Sequence, residues 1–161
     1  MADEKREFLR HTLATLAYRG GKAVRGVGDE FARFSLGENP KTPAMILAHI
    51  GDLLDWAVTL AEGKQAWNNS VPLPWEQEVQ RFHSALQKFD DYLTSDRPLA
   101  ASPEMLFQGP IADALTHVGQ LAMLRRLAGT KIKMKSENYS KADIVAGRVG
   151  PEQTAPKREF D

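Results

Sequence analysis

The sequence predicts an all-α fold, a four-helix bundle, on three observations. Apolar residues recur at spacings of three and four through four long stretches, which is the period of one helix face. Runs containing Gly, Pro, Asn and Ser separate those stretches and punctuate helices. Strand-like alternation is confined to residues 131–135. The chain of 161 residues is long enough to bury one proper core. It reads as a single domain, with the bundle over about residues 3–129 and a polar tail over about 130–161.

The first helix is expected from about Asp3 into the mid-twenties, with Leu9, Leu13, Leu16, Gly20, Val24 and Val27 on one face. Gly20 and Gly21 are costly inside a helix and mark a kink or a close helix–helix contact. His11 sits beside the stripe, where a structural or exposed histidine is the plain reading. Residues 28–43 form a loop with a short amphipathic piece at Phe31 to Phe34. The second helix starts at Thr42-Pro43, a capping hydroxyl followed by proline at the first helical position. Ile46, His49, Leu53, Trp56 and Leu60 trace its face, and Gly63 suits its C-terminus. Residues 64–74 are a linker. The third helix carries Trp75, Val79, Phe82, Leu86, Phe89 and Leu93 at bundle spacing, and His83 adjoins that seam as a structural or exposed residue. Ser102-Pro103-Glu104 opens a short helical turn by the same cap-then-proline logic. Gly109-Pro110 is expected to break it, and the last long helix to run from Pro110 to Gly129. Beyond residues 131–135 the tail is polar with scattered apolar points, and is expected to lie across the bundle.

Lysine plus arginine equals aspartate plus glutamate, 21 of each, for a formal net charge of zero. That balance argues against a nucleic-acid-binding protein. Arg125, Arg126, Lys131, Lys133 and Lys135 cluster locally, but cations near a helix C-terminus answer its dipole. Without cysteine, disulfides, thiolate metal sites and cysteine nucleophiles are excluded. The charged N-terminus lacks the apolar core of a signal peptide, and no run approaches transmembrane length. The expected compartment is the cytoplasm. Asn68 and Asn138 head Asn-x-Ser sequons, which carry no weight without a secretory signal.

The chemistry-bearing constellation lies on the last long helix. Asp113 and His117 stand four residues apart and therefore on one face, continued by Gln120, Leu121 and Leu124. This spacing lets two side chains of one helix share a metal, as in HExxH motifs. His49, on the second helix, can close the set. Two imidazoles and one carboxylate suit Zn²⁺, Ni²⁺, Mn²⁺ or Fe²⁺, and three protein ligands leave positions open for water or substrate. Gln120 and Asp52 are candidate supporting groups that orient an imidazole or a bound water. Each residue also has a plain structural alternative. Asp113 can answer the dipole of a first helical turn, and His49 and His117 can be hydrogen-bonded core histidines. Gln120 can complete a hydrogen-bond network, and Asp52 can be an exposed helix residue.

Leu47-Ala48-His49 with Leu53 and Trp56, and Thr116-His117-Val118-Gly119-Gln120-Leu121 leading into Leu124-Arg125-Arg126 and Gly129, resemble the DinB-like family. These are the damage-inducible-protein-like metalloproteins, related to thiol-dependent S-transferases and maleylpyruvate isomerases. The resemblance spans roughly residues 9–129. It implies a four-helix bundle holding a divalent metal on three residues, commonly all histidine: one on the second helix and two on the last at i, i+4. Carried over, His49 takes the first role and His117 the last, while Asp113 stands where the family usually has histidine. Carboxylate remains an acceptable ligand and shifts preference toward harder metals.

The resemblance implies thiol chemistry, such as conjugation of bacillithiol or mycothiol, through a thiolate generated at the metal. The first expectation is thus a metal-dependent S-transferase-like activity on a small-molecule substrate, with a low-molecular-weight thiol as cofactor. The alternatives are metal-assisted hydrolysis and a non-enzymatic metal-binding bundle. Hydrolysis is less well served, since Ala114 follows Asp113 and Val118 follows His117 where HExxH enzymes carry glutamate. No nucleic-acid or membrane partner is expected. A homodimer is the expected assembly if two bundles pair through helix faces.

Overall fold

Asp3 opens the first helix. Its carboxylate accepts from the backbone N–H groups of Lys5 and Arg6, satisfying donors that a helix start leaves unpaired. In the computed structural model, which describes residues 3–38, 40–130 and 136–155, α1 spans Glu4–Val24 and the short α2 spans Asp29–Ala32. α3 covers Pro43–Ala61, with the Thr42 hydroxyl accepting from the Met45 N–H and Pro43 at the first position. α4 covers Trp75–Thr94, α5 Pro103–Leu106 and α6 Ala112–Leu127. α7 at Ser136–Lys141 and a 3₁₀ turn at Pro151–Thr154 follow. Among the described residues there is no strand; the one expected at residues 131–135 lies outside them.

The four long helices touch in a closed order. α3 packs on α4 and on α6, and α1 packs on the same two helices. The expected stripes supply much of the interior: Leu9, Leu13, Leu16 and Val24 of α1, and Trp75, Phe82, Leu86, Phe89 and Leu93 of α4, are buried. Gly20 is a close contact, not a kink. A Cβ there would stand 2.5 Å from the Phe82 ring tip, so only glycine lets that ring sit against α1.

Two expectations change. Gly109-Pro110 does not end a helix: α5 passes through a π-helical turn, Phe107–Ile111, directly into α6. Pro110 has no N–H to give, and in a regular turn its ring would press on the carbonyl four residues back. Widening to a π turn absorbs both defects, as the Ala112 N–H reaching back to the Phe107 carbonyl shows. The second change concerns α3, which is long and apolar enough to cross a membrane, although no such run was expected. Most of that span is buried in the protein, and it also carries His49, Asp52 and Asp55.

The tail lies against the helices. Val149, Gln153 and Thr154 are buried, the 3₁₀ turn packs on α1, and a Cβ on Gly21 would meet Thr154 at 2.8 Å. Arg25 donates to the Thr154 carbonyl. Arg125, read in the sequence as one of a local cluster of cations, is buried. Its guanidinium donates to the carbonyls of Lys22, Ala23 and Arg25, closing the C-terminal end of α1. Arg126 is exposed, and the three lysines of that cluster lie outside the described residues.

Candidate metal centre

The contact between α3 and α6 is where the chemistry-bearing side chains meet. On α6 the fully buried stripe is Ala114, Val118, Leu121 and Arg125, one residue round from the face read in the sequence. A step of one residue is about 100° of rotation, so Asp113 and His117 border the core instead of lying within it. On α3, Leu47, Ala48 and Ile50 are buried around His49, which is itself half-buried. The side chains of His49, Asp113 and His117 are 26%, 46% and 12% exposed. That gradient describes a site anchored in the protein at His117 and open at Asp113.

The three groups converge. One potential ligand atom from each of His49, Asp113 and His117 lies within 4.8 Å of the other two. His49 Nε2 is 3.8 Å from Asp113 Oδ2, His117 Nδ1 is 3.3 Å from Asp113 Oδ1, and the imidazole centroids are 4.6 Å apart. Donor atoms around a four-coordinate ion stand roughly 3.4 Å from one another, and His49 Nε2 and Asp113 Oδ2 are close to that separation. His117 Nδ1 also lies 2.9 Å from the Asp113 backbone carbonyl. A carbonyl can only accept, so Nδ1 carries the proton and Nε2 keeps the lone pair a metal requires. Burial, then the proximity of His117 and Lys41, holds the His49 imidazole below its ordinary value of 6.5, against the pull of Asp113 and Asp52. His49 is therefore neutral at pH 7 and competent to ligate. Two nitrogens and one carboxylate oxygen suit a divalent first-row metal.

The dipole explanation of Asp113 loses force here. Since α5, the π turn and α6 are continuous, Asp113 does not sit beside a free row of N–H groups. A half-exposed carboxylate facing two imidazoles answers those rings instead. The π turn itself comes directly before α6 and packs on α3, with Gly109 against the Trp56 ring.

The two supporting groups fare differently. Asp52 is buried, but its carboxylate is held by Ser70 and Arg81: Ser70 N–H at 2.9 Å, Ser70 Oγ at 2.6 Å and Arg81 Nη2 at 2.7 Å. Its reach to His49 is electrostatic. Gln120 is exposed, and its side chain has no hydrogen-bond partner among the described residues. Of the other histidines, His11 is exposed, and His83 Nδ1 lies 3.1 Å from the Val149 carbonyl, tying the tail to α4.

The sequence reading missed Trp67 and the segment that carries it. The Trp67 ring stands 5.5 Å from His49 and 5.9 Å from Trp56, edge to face in each case. Arg81, also missed, holds Asp52, Asp55 and Glu78 together and donates to the Ala48 carbonyl. It crosses α3 over Gly51, where a Cβ would lie 2.8 Å from its guanidinium carbon. The available signal was a tryptophan standing among the turn-forming residues of a linker.

Comparison of the chain with protein-family models, with curated proteins and with solved structures finds no match in any of the three.

Proposed function

We propose that this chain is a divalent-metal-dependent enzyme of the DinB-like four-helix-bundle kind, with an S-transferase-like activity on a low-molecular-weight thiol. The observation that carries the proposal is the convergence of His49, Asp113 and His117 within 4.8 Å across two helices. His117 holds its Nε2 lone pair free by donating Nδ1–H to the Asp113 carbonyl, and His49 is held neutral by burial. Three protein ligands leave coordination positions open, which separates a catalytic site from a structural one, and the exposed side of Asp113 gives them access to solvent. His49, Asp113 and His117 would hold a divalent ion, which would supply Lewis acidity that lowers the pKa of a small thiol toward neutrality.

The thiol reading is favoured over hydrolysis by what surrounds the ligands. Activating water for attack on an ester or amide is helped by a general base within hydrogen-bond reach. The nearby buried carboxylate, Asp52, is occupied by Ser70 and Arg81, and Asp113 is itself a ligand. On this reading the substrate is a small molecule, the place of action is the cytoplasm, and neither nucleic acid nor membrane is a partner.

The test is elemental analysis of the purified protein beside His49→Ala and Asp113→Ala, followed by thiol titration of the cobalt-loaded wild type. Stoichiometric metal in the wild type and its loss from both variants is the expected result. Metal retained by both variants would overturn the site. A cobalt spectrum indifferent to thiols would overturn the thiol step while leaving the metal centre standing.

A further inference from the structure

Residues 64–74 contain no helix or strand, yet they are tied down at almost every turn. The Lys64 N–H donates to the Thr59 carbonyl at 2.7 Å. The Thr59 hydroxyl, whose one hydrogen has the Trp56 carbonyl as its nearer acceptor at 2.9 Å, accepts from the Ala66 N–H at 3.4 Å. Ser70 is gripped by Asp52 through backbone and side chain, and the Leu73 N–H donates to Glu78 at 2.8 Å. Glu78 and Asp52 are both buried and both bound to Arg81. Linkers are ordinarily the least restrained parts of a fold, so a segment fastened on both sides of one residue holds that residue in place.

The residue so held is Trp67. The residue is 42% exposed, and its ring stands beside the His49 imidazole with Trp56 as its other ring contact. The π turn lies at the distance of one added carbon from Trp56, since a Cβ on Gly109 would stand 3.8 Å from its ring. The one polar atom of the Trp67 side chain is already used, since Nε1 donates to Asn69 Oδ1 at 3.1 Å. What Trp67 offers a ligand is therefore π surface and apolar contact, without a hydrogen bond. A large aromatic left partly in water beside a metal ligand is unfinished burial, and a flat apolar group completes it.

We infer that Trp67, with Trp56 beside it, is a specificity-determining wall of the metal centre, and that it selects substrates carrying an aryl group close to the atom that binds the metal. The inference rests on the metal reading above and deepens it by naming the substrate class. Trp67 acts by stacking. The tethers from Asp52, Ser70 and Thr59 act through it as positioning groups.

The experiment is titration of cobalt-loaded wild type, Trp67→Ala and Trp67→Phe with acetohydroxamate, benzohydroxamate and cyclohexanecarbohydroxamate. Binding is followed by the cobalt absorption spectrum, with metal content and melting temperature measured on the same samples. The wild type is expected to favour benzohydroxamate over acetohydroxamate by about tenfold, the size of one good aromatic contact. It is also expected to favour benzohydroxamate over the saturated ring. Trp67→Ala is expected to bring the aryl preference to within about twofold, and Trp67→Phe to keep most of it. Equal affinities in the wild type, or a preference that survives Trp67→Ala, would overturn the aryl subsite while leaving the metal centre intact. A wild type that takes up no cobalt would overturn the metal reading and the subsite with it.

Discussion

Asp52 holds Ser70 by both of its carboxylate oxygens, Oδ1 at 2.6 Å from the hydroxyl and Oδ2 at 2.9 Å from the backbone N–H. The bond joins α3, one turn past His49, to the segment that carries Trp67. Arg81 reaches the same carboxylate from α4, so one buried charge organises three parts of the chain. Removing that charge leaves Arg81 with Asp55 and Glu78 but weakens the tether. Asp52→Asn is expected to cost about 1–3 kcal/mol in urea unfolding and to shift the tryptophan emission of the folded protein toward the red. An unchanged emission maximum would mean that the segment stays seated without the charge.

The same carboxylate sets an acid limit on stability. Burial alone raises the Asp52 pKa, but the hydrogen bonds from Ser70 and Arg81 outweigh it and hold the group below its ordinary 3.8. A carboxyl depressed in the folded state contributes stability above the unfolded value and loses it as pH falls through the folded one. The contribution is thus whole near pH 6 and erodes as the pH drops toward and below 3.8. Unfolding curves from about pH 6 to about pH 3 are expected to show a shallower acid loss in Asp52→Asn than in the wild type. Parallel curves would remove Asp52 from the account.

His83 acts in a higher window. Burial lowers its pKa below 6.5, with the Val149 carbonyl and Glu152 pulling the other way. Below 6.5 the unfolded chain takes up a proton that the folded chain resists, so this group makes stability fall as the pH drops from neutral. His49, also held below 6.5, adds a share of the same sign. In metal-free protein, His83→Gln is expected to flatten the stability profile between about pH 7 and about pH 5 without abolishing the slope. Melting temperatures across that range decide it: a slope equal to the wild type's would show that His83 titrates normally.

Much of the helical frame was legible because its signals are local. Thr42-Pro43 and Ser102-Pro103 start helices where cap chemistry says they do. The pairing of Asp113 with His117 follows from helical pitch alone. Gly109-Pro110 misled because a glycine-proline pair ordinarily ends a helix, and nothing local distinguishes an ending from a π turn. Asp52 read as a helper of His49 because the two share a helix. Its real partners, Ser70 and Arg81, lie 18 and 29 residues away, a distance no periodicity spans. Trp67 was hidden for the same reason: its contacts are tertiary, and its neighbours are turn formers.

Arg125 makes a further prediction from a contact invisible in the pattern. Its Nη1 lies 3.0, 3.1 and 2.6 Å from the carbonyls of Lys22, Ala23 and Arg25, which lie at and just past the end of α1. Arg125→Met keeps the apolar stem and removes this donor from acceptors of which two, on Lys22 and Ala23, are buried. The expected cost is about 2 kcal/mol or more, read as a lower urea midpoint at unchanged slope. Arg125→Lys is expected to recover part of it, since an ammonium donates but lacks the planar fork. A methionine variant as stable as the wild type would show that desolvating the guanidinium cancels its hydrogen bonds.

Asp113 carries the last prediction, because its side chain and its backbone do different things. The carbonyl fixes the tautomer of His117 whatever side chain stands at 113. The carboxylate faces both imidazoles and adds a hard, negatively charged donor. Asp113→His keeps a ligand at this position and exchanges that donor for a neutral, softer one. Metal binding is therefore expected to survive in Asp113→His and to be lost in Asp113→Ala. The manganese-to-zinc affinity ratio in Asp113→His is expected to fall by roughly tenfold. Competition of the two ions for the apoprotein measures it. If Asp113→His and Asp113→Ala lose the metal equally, the carboxylate acts by charge on the imidazoles and not as a ligand.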